Sequence, residues 1–288
     1  MKVMEPDVTI LIPVRNGEDF IAEAINSVVQ QTFGRWELVV RDNCSKDGTR
    51  ALVEPYLSDP RFRLIAGDTD YSMFGNFNQC LALVRTKYYM VLCHDDYLYA
   101  PNALQAAYDV MEADPSLPTV YCDLMYVDRR RDPILRRTFG RSGLIDSGTL
   151  ARSSIIRMRN MFGIPLLART SALNGRRYDE TLPYVADIEL SLATASGASI
   201  YHIPESLIAN RYHDKNRTGH LVHGVFEQMT SLARRHGIPL SPAERVRMRV
   251  AAYWMALAKR VFLIYARTLK LAFRFRSRPR AENVKTAS

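Results

Sequence analysis

The chain has 288 residues, 47% of them hydrophobic and 24% charged, which excludes a disordered protein and allows one large or two modest globular domains. No apolar run reaches the roughly 18 to 20 residues of a membrane span, and the N-terminal apolar stretch breaks at Pro13, so neither a transmembrane helix nor a signal peptide is expected. The net charge of +9 belongs to the end of the chain, where residues 241–288 carry 12 Lys or Arg against two acids and the preceding body is near neutral.

Val8 to Val14 (VTILIPV) is a continuous apolar, largely β-branched run, the pattern of a strand buried on both faces of a parallel sheet. After a turn at Arg15-Asn16-Gly17, the apolar residues of Glu18 to Gln31 recur at helical spacing. Trp36 to Val40 predicts a second strand, and Asp42 to Thr49 a polar turn into a helix through about Leu57. Arg61 to Ala66, Asn76 to Arg85 and Tyr88 to Cys93 predict strand, helix and strand, an alternation that gives a parallel sheet with right-handed crossovers. Pro101 opens a helix to about Ala113, Thr119 to Val127 reads as a strand, Arg129 to Asp132 as an exposed turn, and Asp187 to Ala195 as a short helix. Cys44, Cys80, Cys93 and Cys122 show neither a C-x-x-C pair nor metal-finger spacing, which suits a reduced, cytosolic environment.

The stretch MVLCHDDY sets two carboxylates, Asp95 and Asp96, at the end of a buried strand, where they must reach the surface, meet donors or hold a cation. Ligands of open α/β sheets bind outside the carboxyl ends of the strands, so the turns at Arg15, Asp42 and Asp95 are expected to converge on one pocket. Alone, Asp95 and Asp96 also suit helix caps, and Asp42 an Asx brace of its own turn. A transition-metal reading of Cys93 with His94 fails if both lie on a strand, because neighbours there face opposite ways.

Several separated motifs in one order resemble the family 2 inverting glycosyltransferases of non-processive type. VTILIPVRNG resembles their first strand and turn, Gln31-Thr32-Phe33 with Trp36-Glu37 their Q-T-[FY]-x-x-W-E stretch, and Arg41 to Thr49 their D-D-G-S-x-D-G-T turn, with Asp42 on its first aspartate. Cys93 to Asp96 occupies the place of their metal-binding D-x-D-D, Gly175 to Glu180 that of G-G-F-D-E, Ala186-Asp187 that of the E-D pair, and Arg211 to His213 that of Y-R-x-H. The resemblance covers roughly residues 7 to 215 and implies a GT-A fold, a Rossmann-like, mixed and mostly parallel sheet flanked by helices. Residues 1–215 would form the catalytic domain, with 1–100 binding the nucleotide sugar and 101–215 the acceptor, followed by a helical basic extension over 216–288.

It further implies transfer of one sugar from a nucleoside diphosphate of UDP, GDP or TDP type to a hydroxyl of a glycan or lipid-linked glycan, with inversion and with Mg²⁺ or Mn²⁺. Asp187 is the implied general base; Asp95 and His213 are implied at the metal. Pro13, Arg15, Asn16, Asp42, Asn78, Asp96 and Arg211 are implied around the donor. Asp96 is open to three roles: ligating, orienting Asp95 or touching the sugar. Cys93, Ala186 and Arg41 depart from the family pattern and keep a second reading in view, a non-catalytic protein that binds nucleotide sugar or a partner.

The tail sorts by helical geometry. Between Ala243 and Arg278, Arg249, Arg260, Arg267, Lys270, Arg274 and Arg278 share one arc, opposite Trp254, Phe262, Leu269 and other apolar residues. Such a face either meets an anionic membrane peripherally through residues 245–278 or packs on protein. Nucleic acid is not the expected partner, because the aromatics lie opposite the charges rather than among them.

Overall fold

The computed structural model describes residues 5–138, 142–213 and 224–254. In chain order the elements are β1 (Val8–Val14), α1 (Ile21–Val29), β2 (Trp36–Asp42), α2 (Thr49–Val53) with a 3-10 turn behind it, β3 (Phe62–Ala66), α3 (Met73–Leu81), β4 (Tyr88–Val91), β5 (Tyr97–Leu98) and α4 (Ala103–Ala113). There follow β6 (Thr119–Val127), β7 (Pro133–Arg137), β8 (Gly143–Asp146), α5 (Ser147–Ile156), β9 (Pro165–Arg169), α6 (Thr170–Leu173), α7 (Ala186–Thr194), β10 (Ser199–Arg211) and α8 (Val225–Arg235). They make one mixed sheet in the order β3-β2-β1-β4-β9-β6-β10-β5, with β7 on β6 and β8 on β10.

The first four strands are parallel, as the alternation of strands and helices requires. Every residue of β1 is buried because both faces are covered. Val8, Ile10, Ile12 and Val14 pack with Ile21, Ile25 and Val28 of α1, whereas Leu11 on the opposite face meets Cys80 and Leu81 of α3. This two-sided burial is what the unbroken apolar run encodes.

Several boundaries differ from the sequence expectation. Helix α3 starts at Met73 rather than Asn76, because Ser72 caps it by accepting from the Gly75 N–H at 2.9 Å. Strand β4 ends at Val91 rather than Cys93, and a turn closed by the Asp96 N–H on the Cys93 carbonyl at 3.0 Å follows. Strict alternation therefore stops before Cys93, and both Cys93 and His94 line the cleft described below. Strand β10, 13 residues long, was not visible in the sequence: Pro204 interrupts its pattern, and the strand shifts register around Ser206.

The C-terminal part begins as expected with a helix, over 242–254. Met248 is buried in a second core with Ile155 of α5, Ala186 of α7 and Leu232 of α8, and Arg152 pairs with Glu244 at 2.5 Å, so this stretch packs on the body. Val246, Val250, Tyr253 and Trp254 are each at least 50% exposed. The remainder of the tail lies outside the described residues.

Arg211 was expected around the donor, but its side chain is not among those that line the cleft described below. Its side chain is 1% exposed; Nε donates to the Asp95 carbonyl and Nη1 to the Arg129 carbonyl, each at 3.0 Å, while Nη2 pairs with Glu23 of α1. The guanidinium also lies 4.7 Å from the centroid of Phe20. Beside it, Asp96 accepts from the Arg211 N–H at 2.9 Å and from Asn210 Nδ2 at 3.0 Å. The end of β10 is thereby tied to α1 and to the carboxylate-bearing turn.

Replacing Arg211 with Ala leaves the Asp95 and Arg129 carbonyls without their donor and Glu23 with Arg131 alone; it is expected to cost about 3 kcal/mol, lowering Tm by about 10 °C. Weakened nucleotide binding at unchanged Tm would instead return Arg211 to the diphosphate. Gly17 is a second tight point: a Cβ there would lie 2.5 Å from Val14 Cγ2 and 2.7 Å from His94 Cδ2. Gly17→Ala is expected to destabilise by about 1–3 kcal/mol in denaturant unfolding, an overpacking cost.

Candidate active site

The turns after β1, β2 and β4 do converge, on a cleft of about 1120 Å³ that continues across the sheet to α7. That volume exceeds the roughly 300–1,000 Å³ of a small-molecule pocket and leaves room for two substrates.

On the β1 side, Pro13, Arg15 and Asn16 line the cleft. Asn16 takes φ 52°, which its short amide tolerates, and its Oδ1 accepts the Lys46 N–H at 2.8 Å, joining the first two turns. Arg15 pairs with Asp70 at 2.5 Å, both half exposed. Asp42 does not reach the cleft. Fully buried, it accepts from the Ser45 N–H at 3.2 Å and from Arg50 Nε at 2.5 Å, so it braces its turn as an Asx residue does. The cleft residue from this motif is its neighbour Asn43, whose amide holds the Tyr71 N–H and C=O at 3.0 and 2.9 Å. The Tyr71 ring, backed by the Arg41 guanidinium at 5.3 Å, thus becomes part of the wall.

Asn78 is likewise displaced from its expected place at the donor. Its Nδ2 donates to the Tyr178 carbonyl at 2.9 Å and its Oδ1 accepts the Tyr178 N–H at 2.8 Å, clamping the loop before α7 onto α3. Ser72 at the head of α3 donates to Glu180 of the same loop.

The turn from Cys93 to Asp96 forms the floor. Ligand atoms of Cys93, Asp95 and Asp96 lie within 4.8 Å of one another. Asp95 Oδ2 is 3.0 Å from His213 Nε2, and the His213 ring packs on Phe20 at 4.9 Å. Burial raises the Asp95 pKa, but the His213 hydrogen bond and the His94 charge outweigh it and hold the carboxyl below its ordinary value. Asp96 behaves oppositely: burial and the Asp95 charge push it well above the usual range. Burial and the charges of Asp96, Asp95 and Asp187 push the Cys93 thiol up as well, so it stays neutral. The donors on the cleft wall, a carboxylate and an imidazole, fit a divalent cation, with the neutral thiol beside them a weak ligand.

Asp187 stands in the first turn of α7 and accepts from Asn160 Nδ2 at 2.8 Å. Asn160 is itself fixed, its Oδ1 accepting the Phe162 and Gly163 N–H groups at 2.9 and 3.1 Å. Burial raises the Asp187 pKa against the opposing pull of Asn160 and of main-chain N–H groups. Ala186, where the resemblance has glutamate, is fully buried in the second core, which leaves no solvated space for a carboxylate. Asn160 carries no motif, and only the fold could reveal it.

A family profile described as "Glycosyl transferase family 2" matches residues 9–170. The succinoglycan biosynthesis protein ExoO of Rhizobium meliloti is 32% identical over 224 residues, 71% of this chain and 63% of that protein, so the chain spans less than two thirds of this relative. Among solved structures, S. aureus TarS in complex with UDP-GlcNAc superposes with a TM-score of 0.66 at 18% identity, covering 84% of this chain and 70% of that one. The mannosyltransferase PcManGT from Pyrobaculum calidifontis, in complex with GDP-Man and Mn²⁺, gives 0.58 at 18% identity over 93% and 81%. At that identity the likeness establishes the fold, which is GT-A. The profile covers more than half of the sequence, and the chain belongs to glycosyltransferase family 2.

Proposed function

We propose that the protein moves one sugar from a nucleoside-diphosphate sugar to an acceptor hydroxyl with inversion, in the assembly of a polysaccharide or glycolipid. The observation that carries this reading is that Asp187 and the Asp95–His213 pair line one cleft. ExoO is named for succinoglycan biosynthesis, and TarS and PcManGT hold UDP-GlcNAc and GDP-Man, which supports a nucleotide-sugar donor.

Pro13, Arg15, Asn16 and Tyr71 would receive the nucleoside. Asp95 and His213 would hold Mg²⁺ or Mn²⁺, which when bound neutralises charge building on the departing diphosphate. Asp187, fixed by Asn160, takes the proton of the acceptor hydroxyl as its oxygen bonds to the anomeric carbon and the bond from that carbon to phosphate breaks. Asp96, engaged by Asn210 and Arg211, orients the turn that presents Asp95 rather than meeting the sugar. The rival reading, nucleotide-sugar binding without turnover, draws on Cys93 standing where the family has an acid.

A nucleotide that raises Tm only with Mn²⁺, and no longer does so in Asp95→Ala, is expected from a panel of UDP, GDP, TDP and CDP, by binding linkage. No shift with any nucleotide would remove the donor site. Asp187→Asn should abolish transfer while nucleotide stabilisation persists; persistence with full transfer would rule out Asp187 as base. A base works ionised, so kcat/KM should fall as pH drops through the raised Asp187 pKa. Asn160→Ala removes an interaction that favours the charged form and should move that acid limb to higher pH; an unmoved limb would assign it to another group.

A further inference from the structure

We infer that the acceptor carries an anionic group, a phosphate or a carboxylate, close to the attacked hydroxyl, and that Arg137 and Arg159 hold it beside Asp187. The inference rests on the reading of Asp187 as base and adds the chemical class of the acceptor.

Arg137 ends β7 and lines the cleft. Its Nη2 donates to the Asn160 carbonyl and its Nη1 lies 3.3 Å from the Tyr126 hydroxyl. The side chain of that same Asn160 holds Asp187, so the cation is fixed one residue away from the base. Arg159, next in the chain, is exposed at the cleft wall, and its Nε contacts Met161 Sδ at 3.3 Å. Among the described residues no carboxylate pairs with Arg159, whereas Arg15 at the donor end is paired with Asp70.

Two guanidinium groups at the acceptor end fit a planar or tetrahedral oxyanion, which they bind through paired N–H donors. Strand alternation sets Leu135 on the same face of β7 as Arg137, 61% exposed. A lipid-linked sugar diphosphate would supply both the charge and an apolar chain, whereas a uronate would supply the charge alone.

The test is calorimetric binding of three probes: hexyl diphospho-N-acetylglucosamine, methyl glucuronide and uncharged hexyl N-acetylglucosaminide. Each is titrated into the full chain with Mn²⁺ and whichever nucleotide stabilises it. At least one anionic probe should bind roughly tenfold tighter than the neutral one, the gain of one charged hydrogen bond. The advantage should vanish in Arg159→Ala and persist in part in Arg159→Lys, which guards against a folding effect. Preference for the diphosphate points to a lipid-linked acceptor, and preference for the glucuronide to an acidic glycan. Equal binding of all probes, binding of none, or an advantage unchanged in Arg159→Ala would overturn the inference. Nucleotide stabilisation in the same samples reports on the donor site separately, so its loss would count against the transfer reading instead.

Discussion

The site depends on one buried cation. Arg211 sits out of water with Glu23 as its ion-pair partner and two carbonyls as further acceptors, and a guanidinium in that position is tolerated only because its donors are matched. The arrangement does local work for the turn from Cys93 to Asp96. A segment carrying two adjacent carboxylates would repel itself, yet here one is absorbed by the end of β10 and the other is turned outward toward His213. Burial raises both carboxyls, but the His213 hydrogen bond and the His94 charge keep Asp95 below its ordinary value while the Asp95 charge pushes Asp96 higher still. One carboxylate becomes structure and the other is left for chemistry.

That division explains what was legible in the sequence. The strands β1 to β4 were readable because unbroken apolar runs and helical spacing state burial directly, and burial decides which face of each element turns inward. The location of the cleft followed from the same topology. What a residue does within it depended on neighbours far along the chain. Asp42, Asn78 and Arg211 sit on motif positions, but each is satisfied by a partner that no local pattern announces: Arg50, the Tyr178 backbone and Glu23. Asn43 and Asn160 were missed for the converse reason. An asparagine in a loop has no signature until the groups that fix its amide are in view.

The departures from the family pattern also acquire physical reasons. Ala186 belongs to the core behind α7, so Asp187 is held by Asn160 rather than by a carboxylate beside it in sequence. Cys93 contributes no negative charge, because burial, and then the carboxylates around it, disfavour its thiolate. The charge presented to a cation therefore rests on Asp95.

The clamp of Asn78 on the Tyr178 backbone joins α3, which borders the cleft, to the loop that leads to Asp187. Ser72 and Glu180 repeat that connection, and Arg211 makes a third from β10 back to α1. The two halves of the sheet are consequently not interchangeable modules. A chimaera joined near residue 100, taking its second half from a relative with a different loop or β10 terminus, would inherit an intact sheet and lose the crosslinks that align Asp187 with the β1 side of the cleft. Exchange of specificity between such enzymes is better sought in the exposed wall around β7, which carries none of these three ties.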